Sequence, residues 1–148
     1  MNRFISAALA LSAATLISVS AFAADPLAGT TWRTFDDKTG APKVLVTFSE
    51  SSNGLSGKIV KRLAGSTIEQ CSACSGALRN KPLIGLPIIH HLRTTGGNEY
   101  GDGEILDPKS GKTYRLNGKL SSDGKTLELR GYIGFALLGR TQVWTREN

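Results

Sequence analysis

Along most of the chain, apolar and polar side chains alternate in short runs, and turn-forming residues punctuate the runs. A period of two is the mark of half-buried strands. In 43–49, Val44, Val46 and Phe48 fall on one face and Leu45 and Thr47 on the other. After Asn53-Gly54, a pair suited to a hairpin because both residues tolerate positive φ, the run 55–62 places Leu55, Gly57 and Ile59 together. Further strands are predicted at 27–35, 88–93, 99–106, 112–120, 125–133 and 140–146, with Leu127, Leu129 and Ile133 on one face of the seventh. The turns between them include Asp107-Pro108-Lys109-Ser110-Gly111 and Ser121-Ser122-Asp123-Gly124. Asp or Ser first, Pro second and Gly late is the chemistry of tight turns. Between 63 and 86 the rhythm breaks. That long connection holds both cysteines, and Asn80-Lys81-Pro82-Leu83-Ile84-Gly85 is expected to form one helical turn, with proline near its start.

The run from Gly131 to Trp144 organises the fold. Glycines at 131, 134 and 139 disfavour a helix, each costing about 1 kcal/mol there relative to alanine, and suit two strands joined through an apolar corner. A tryptophan near each end of the strand-forming region, Trp32 and Trp144, suggests that the last strand returns beside the first, as in an up-and-down barrel. The fold class expected is therefore all-β: an antiparallel up-and-down barrel of about eight strands with a long cysteine-containing loop. Trp32, Arg140 and Trp144 are expected to close it, with the Arg140 guanidinium packed under one of the rings.

The first residues fall outside this pattern. Asn2-Arg3 precedes a charge-free, alanine-rich apolar stretch, and Ala21-Phe22-Ala23 forms an A-x-A cleavage site. Residues 1–23 thus read as a secretory signal peptide and 24–148 as a single mature domain. A periplasmic location follows as the expectation, and no later apolar run reaches the roughly 18 residues a membrane-spanning helix needs. The formal net charge of +6 becomes +5 once Arg3 is removed (6 − 1). The charges are scattered along the chain, and with an exported location that makes nucleic acid a poor partner.

Candidate chemistry is sparse. Cys71-Ser72-Ala73-Cys74 in an oxidising compartment reads as a disulfide staple, with redox catalysis and metal binding as alternatives, and haem attachment is excluded because Ser75 follows Cys74. His90 and His91 are adjacent, so on a strand they face opposite ways, one in and one out, and a shared metal is not expected. Asp102 and Glu104 share a strand face and could flank a glycosidic bond, but they read first as a solvated face. No nucleophile elbow or phosphate-cradling loop occurs, so no cofactor is expected. Arg115 and Arg130, with Tyr100, Tyr114 and Tyr132 as aromatic walls, are the candidates for gripping a small apolar or acidic molecule inside the barrel. A carrier of such a molecule is the leading functional expectation. An envelope interaction protein with a protein partner and no pocket is the alternative, and an enzyme comes third.

Five stretches resemble one family. They are Lys81-Pro82-Leu83-Ile84-Gly85-Leu86, Gly103-Glu104-Ile105-Leu106-Asp107-Pro108, Gly111-Lys112-Thr113-Tyr114, Leu129-Arg130-Gly131-Tyr132-Ile133-Gly134 and Gly139-Arg140-Thr141-Gln142-Val143-Trp144. Together they are similar to a family of small exported bacterial proteins catalogued as a domain of unknown function. The resemblance covers nearly all of 24–148 and implies a lipocalin-like, calycin-type barrel with no established reaction. The chain departs from the family pattern around Tyr100 and Asp102, where a tryptophan is common, and its Gly29-x-x-Trp32 is one residue longer than the lipocalin Gly-x-Trp. The exported protein is expected to begin at Ala24. Its intact mass checks this, and a retained apolar leader would overturn the export argument.

Overall fold

The computed structural model describes residues 16–148 and places eight antiparallel strands in one closed barrel, each paired with its sequence neighbours. The strands are β1 (Thr31–Phe35), β2 (Pro42–Ser51), β3 (Gly54–Arg62), β4 (Pro87–Gly96), β5 (Glu99–Asp107), β6 (Lys112–Leu120), β7 (Thr126–Tyr132) and β8 (Arg140–Arg146). Residues 1–15 of the expected leader lie outside the described residues, and 16–24 carry no regular secondary structure. Among the described residues no helix is long and apolar enough to cross a membrane.

Alternation fixes which side chains fill the barrel. Val44, Val46 and Phe48 of β2, Leu55 and Ile59 of β3, Leu116 and Leu120 of β6, and Leu127 and Leu129 of β7 are all buried. A barrel of eight strands has room for one layered set of side chains, and glycines make part of that room. A Cβ on Gly103 would lie 2.8 Å from Leu92 Cδ1, so the missing side chain is the space Leu92 occupies. Register shifts in β4 and β5 break the strict period: Ile88 and Ile89 are both buried, and His91 and Asp102 take left-handed backbone (φ 58° and 57°). The histidines accordingly differ from expectation: His91 is exposed and His90 half-buried, so neither is a core residue. β7 ends at Tyr132, one residue short of the predicted limit, and Ile133 is exposed.

One end of the barrel, the base, is sealed. The turn before β1 tucks Leu27 under the strands, fully buried. Asp25 Oδ1 accepts from the Leu27 N–H (2.9 Å) and from the Tyr100 hydroxyl (3.0 Å). The Thr30 hydroxyl donates to the Leu27 carbonyl (2.6 Å) and accepts from Trp32 Nε1 (2.7 Å). Every polar atom that Trp32 brings into the core is therefore satisfied. Over the ring, 6.0 Å from its centroid, lies the guanidinium of Arg146, the cross-strand partner of Trp32.

This corrects the expected role of Arg140. An antiparallel return sets the end of β8, not its beginning, beside the start of β1. Arg140 lies at the other end of the barrel, 70% exposed, with its Nε 3.0 Å from Asp37 Oδ2. Trp144 is buried, and its indole donates to Gln142 Oε1 (3.1 Å).

The long connection folds back over the open end, the mouth. Cys71 and Cys74 form a disulfide and both are buried. Ala73 sits so close to the β5–β6 turn that a Cβ on Gly111 (φ 72°) would meet its carbonyl oxygen, so only glycine fits there. The expected helical turn at 80–85 does not form. Asn80 adopts left-handed backbone (φ 59°), Pro82 bridges to Gln70, and a single 3-10 turn lies earlier, at Gly76–Leu78. Further along, Gly85 donates to the Ile59 carbonyl (2.7 Å) and the Ile59 N–H donates to the Leu86 carbonyl (3.0 Å), which stitches the connection to β3.

Two predictions follow from the base. Trp32→Ala is expected to cost about 3–5 kcal/mol and Arg146→Ala about 0.5–1 kcal/mol, with coupling between them, whereas Arg140→Ala removes an exposed ion pair worth at most about 1 kcal/mol. Urea denaturation of the double-mutant cycle checks this, and losses at Trp32 and Arg146 that add within about 0.3–0.5 kcal/mol would refute the contact. The second concerns Tyr100, whose hydroxyl is pushed well above the usual phenol range by burial and then by its hydrogen bond to Asp25. A raised folded-state value favours the neutral form, so the contribution is complete below about pH 10, where an unfolded tyrosine ionises, and is lost as pH rises further. Denaturation at pH 8 and pH 11 should show a smaller alkaline loss in Tyr100→Phe than in the wild type; equal losses would contradict the assignment.

Candidate functional site

Above the packed base the barrel interior opens into a cavity of about 400 Å³ that reaches the mouth. Its inner part is apolar, bounded by Ile59, Ile88, Leu116, Leu129 and the Trp144 ring. Val44, Ile105 and Tyr114 continue the wall, and Leu83 and Ile68 of the long connection reach in from the side. Gly131 leaves part of the space free: a Cβ there would come no closer than 3.6 Å to any neighbour. The volume lies within the range of small-molecule pockets, whose mostly apolar walls carry a few convergent polar groups.

The polar groups lie near the rim. Lys43, Lys109 and Arg140 line the opening, with Asp107 as the carboxylate among them. Asp107 is committed to its own turn, accepting from the Lys109 N–H (3.1 Å) and the Ser110 hydroxyl (2.7 Å). A second carboxylate, Asp37 of the β1–β2 turn, is held by Gln142 Nε2 (2.9 Å) and by Arg140. Trp144, Gln142, Asp37 and Arg140 thus form a continuous polar chain from the cavity wall to the surface. That chain bridges β8 to the β1–β2 turn where the backbone pairing of β1 with β8 has run out, since the seam pairs only Trp32 with Arg146 and Arg33 with Thr145.

The β7–β8 corner forms one lip of the mouth. Ile133 and Leu138 line the cavity but remain 65% and 80% exposed, and Phe135 and Leu137 at the tip are 76% and 91% exposed. A 3-10 turn, Ala136–Leu138, shapes the tip. Arg130 holds it: its guanidinium donates to the carbonyls of Ala136 and Leu137 (3.1 Å to the latter) and to the Thr141 hydroxyl (2.7 Å).

Of the residues singled out for a ligand, Tyr114 and Tyr132 line the cavity, and the structure places the other three elsewhere. Tyr100 is spent on the base. Arg115 lies between the inward positions Tyr114 and Leu116 and is exposed on the outside. Arg130 lies between Leu129 and Gly131 and serves the corner. Lys43, Lys109 and Gln142 were not anticipated. Their signal was available, since parity from buried Val44 and Trp144 sets Gln142 inward and puts Lys43 at a strand entrance. Asp102 and Glu104 are both exposed and away from the cavity. Cys71 and Cys74 carry no free thiol. Among the described residues no three His, Cys, Asp or Glu side chains gather as a metal site.

Comparison with known proteins agrees with this architecture. A solved structure, protein HP1028 from the human pathogen Helicobacter pylori, described as belonging to the lipocalin family, superposes with a TM-score of 0.71 at 23% identity over 82% of this chain and 83% of that one. That similarity establishes the fold, a lipocalin-like barrel. No curated protein matches the sequence. The model of one family matches residues 30–146, the whole barrel from before β1 to the end of β8, and the chain therefore belongs to that family, described as uncharacterized protein conserved in bacteria (DUF2147).

Proposed function

We propose that the protein is a binding or carrier protein, exported to the periplasm, for a small, mostly apolar molecule with an acidic end. The observation that carries this reading is the cavity: about 400 Å³ of apolar-walled space, open at one end and edged there by Lys43, Lys109 and Arg140. At the base Leu27, Trp32, Phe48 and Tyr100 are buried, so the open half is not a general looseness of the barrel. An aliphatic or aromatic body would lie against Leu116, Leu129 and Trp144, and its anionic group would remain at the rim, where lysine ammonium groups can stay hydrated. Burial of the body supplies the affinity, roughly 25 cal/mol for each Å² of apolar surface, and the cations set polarity and orientation. The Cys71–Cys74 staple supports the wall by holding the connection that contributes Ile68 and Leu83. Bilin-like or haem-like cargo would overfill the space, whereas a medium-chain fatty acid or a monocyclic aromatic acid fits.

The second reading, an envelope interaction protein, is favoured by the exposed Ile84, Phe135 and Leu137. The two readings part experimentally. Titration calorimetry with dodecanoic acid should show saturable binding, and dodecanol should bind up to about fivefold more weakly, the worth of a solvent-exposed ion pair. Gly131→Leu, which fills the cavity from a position with room for a Cβ, should lower dodecanoate affinity by about tenfold or more, since apolar contact supplies most of the binding, with little change in melting temperature. Failure of every apolar acid to bind, together with native mass spectra free of cargo, would set the carrier reading aside.

A further inference from the structure

The four connections at the mouth end and those at the base differ sharply in charge. At the mouth, Lys38, Lys43, Arg79, Lys81, Lys109 and Lys112 make no ion pair among the described residues. The carboxylates at that end are all engaged: Asp37 with Arg140, Glu69 with Arg62 (3.1 Å), and Asp36 and Asp107 within their own turns. Thr39 and Lys38 N–H groups hold the Asp36 carboxyl below the usual carboxylate range, so it remains committed to that turn. At the base the balance reverses, with Asp25, Glu50, Glu99, Asp102, Asp123, Glu128 and Glu147 outnumbering the nearby cations Arg33, Arg93, Lys119, Lys125 and Arg146. The barrel is therefore an electrostatic dipole, positive at its open end.

Apolar side chains project from that same positive end. The β7–β8 corner presents Phe135 and Leu137 almost fully to solvent, with Ile133 and Leu138 beside them. Arg130 ties the corner down by donating to the Ala136 and Leu137 carbonyls, and the Phe135 carbonyl accepts from the Leu138 N–H. An apolar tip whose central carbonyls are paired, at an end rich in unpaired cations, has the composition of an element that lies in a bilayer interface.

We propose that the open end docks on an anionic phospholipid bilayer, with the 133–138 corner seated among the lipid headgroups and the surrounding lysines on their phosphates. Charge complementarity selects a bilayer over a second copy of the chain, since two positive ends repel each other and, once the chain is processed at Ala24, the described residues of the negative base expose no comparable apolar tip. The docking is independent of whether the cavity carries cargo, although it would set the cavity mouth against the lipid.

Vesicle co-sedimentation tests the proposal, using protein processed at Ala24 and verified by intact mass, so that no leader contributes. With vesicles containing about 30% phosphatidylglycerol, the bound fraction should exceed that with pure phosphatidylcholine by about tenfold and should fall as NaCl is raised from about 0.05 to about 0.5 M. Phe135→Ser with Leu137→Ser should abolish most of the binding without lowering the melting temperature, because both side chains are already in water. Lys109→Glu with Lys112→Glu should weaken it on phosphatidylglycerol vesicles specifically. A tryptophan introduced as Leu137→Trp should be quenched by brominated lipid. No binding to anionic vesicles, or equal binding by the serine variant, would overturn the proposal. So would a concentration-dependent dimer in sedimentation equilibrium that the serine variant abolishes while vesicle binding is absent.

Discussion

The fold depends on one meeting, that of the first and last strands over Trp32. A meander of eight strands becomes a barrel only if β8 finds β1, and the backbone seam between them is short. Burial of an indole there supplies most of what the few ladder hydrogen bonds do not. The Thr30 hydroxyl satisfies its N–H, Leu27 lies beneath it, and the Arg146 guanidinium covers the outer side. Side chains extend the seam in both directions. Glu147 donates its N–H to the Thr31 carbonyl at the base, and Asp37 receives Gln142 and Arg140 at the mouth. Closure removes the exposed sheet edges that would otherwise recruit another chain.

This arrangement makes the two ends unlike, and the difference is what leaves room for a site. At the base, Leu27, Trp32, Phe48 and Tyr100 fill the section, with polar atoms paired inside the turn from Asp25 to Thr30. At the mouth, the same inward positions hold smaller or polar residues, namely Thr34, Gly131 and Gln142, and the space they leave is the cavity. A core void of that size lined only by hydrocarbon would be destabilising at roughly 24 cal/mol per Å³. Opening it to solvent at a rim of lysines, and bordering it with a stapled connection, lets the domain keep the volume while the base carries stability.

Much of this was legible in alternation. The faces assigned to Val44, Val46 and Phe48, and to Leu55, Gly57 and Ile59, are the buried faces, and glycine-bearing turns marked the hairpins. The same alternation, followed one step further, places Arg115 and Arg130 outside, because Leu116 and Leu129 beside them are inside. Antiparallel direction alone hands the role under Trp32 to Arg146 rather than Arg140. Other features have no local signal. The left-handed bulges at His91 and Asp102 shift register within strands, which a strict period cannot anticipate. The path of 63–86 depends on a carbonyl resting on Gly111, and that contact joins residues far apart in sequence. The cavity itself is a difference between what eight strands enclose and what their side chains fill, a quantity that exists only once the register is set.

The β7–β8 corner joins these threads. Its glycines permit the sharp return, and one arginine, Arg130, spends its guanidinium on the carbonyls of a tip that no other element covers. Fully burying a side chain the size of Phe135 or Leu137 is worth about 1.5–3 kcal/mol, and the fold forgoes that gain at neighbouring positions. A corner serving only to connect two strands would be as well made with serine or asparagine, which satisfy turn backbone themselves. Apolar residues left in water next to a cavity mouth are better explained by a surface they meet than by the barrel they leave. The unpaired lysines around them narrow that surface to one bearing negative charge, which is why the candidate site and the proposed docking face belong to the same end of the molecule.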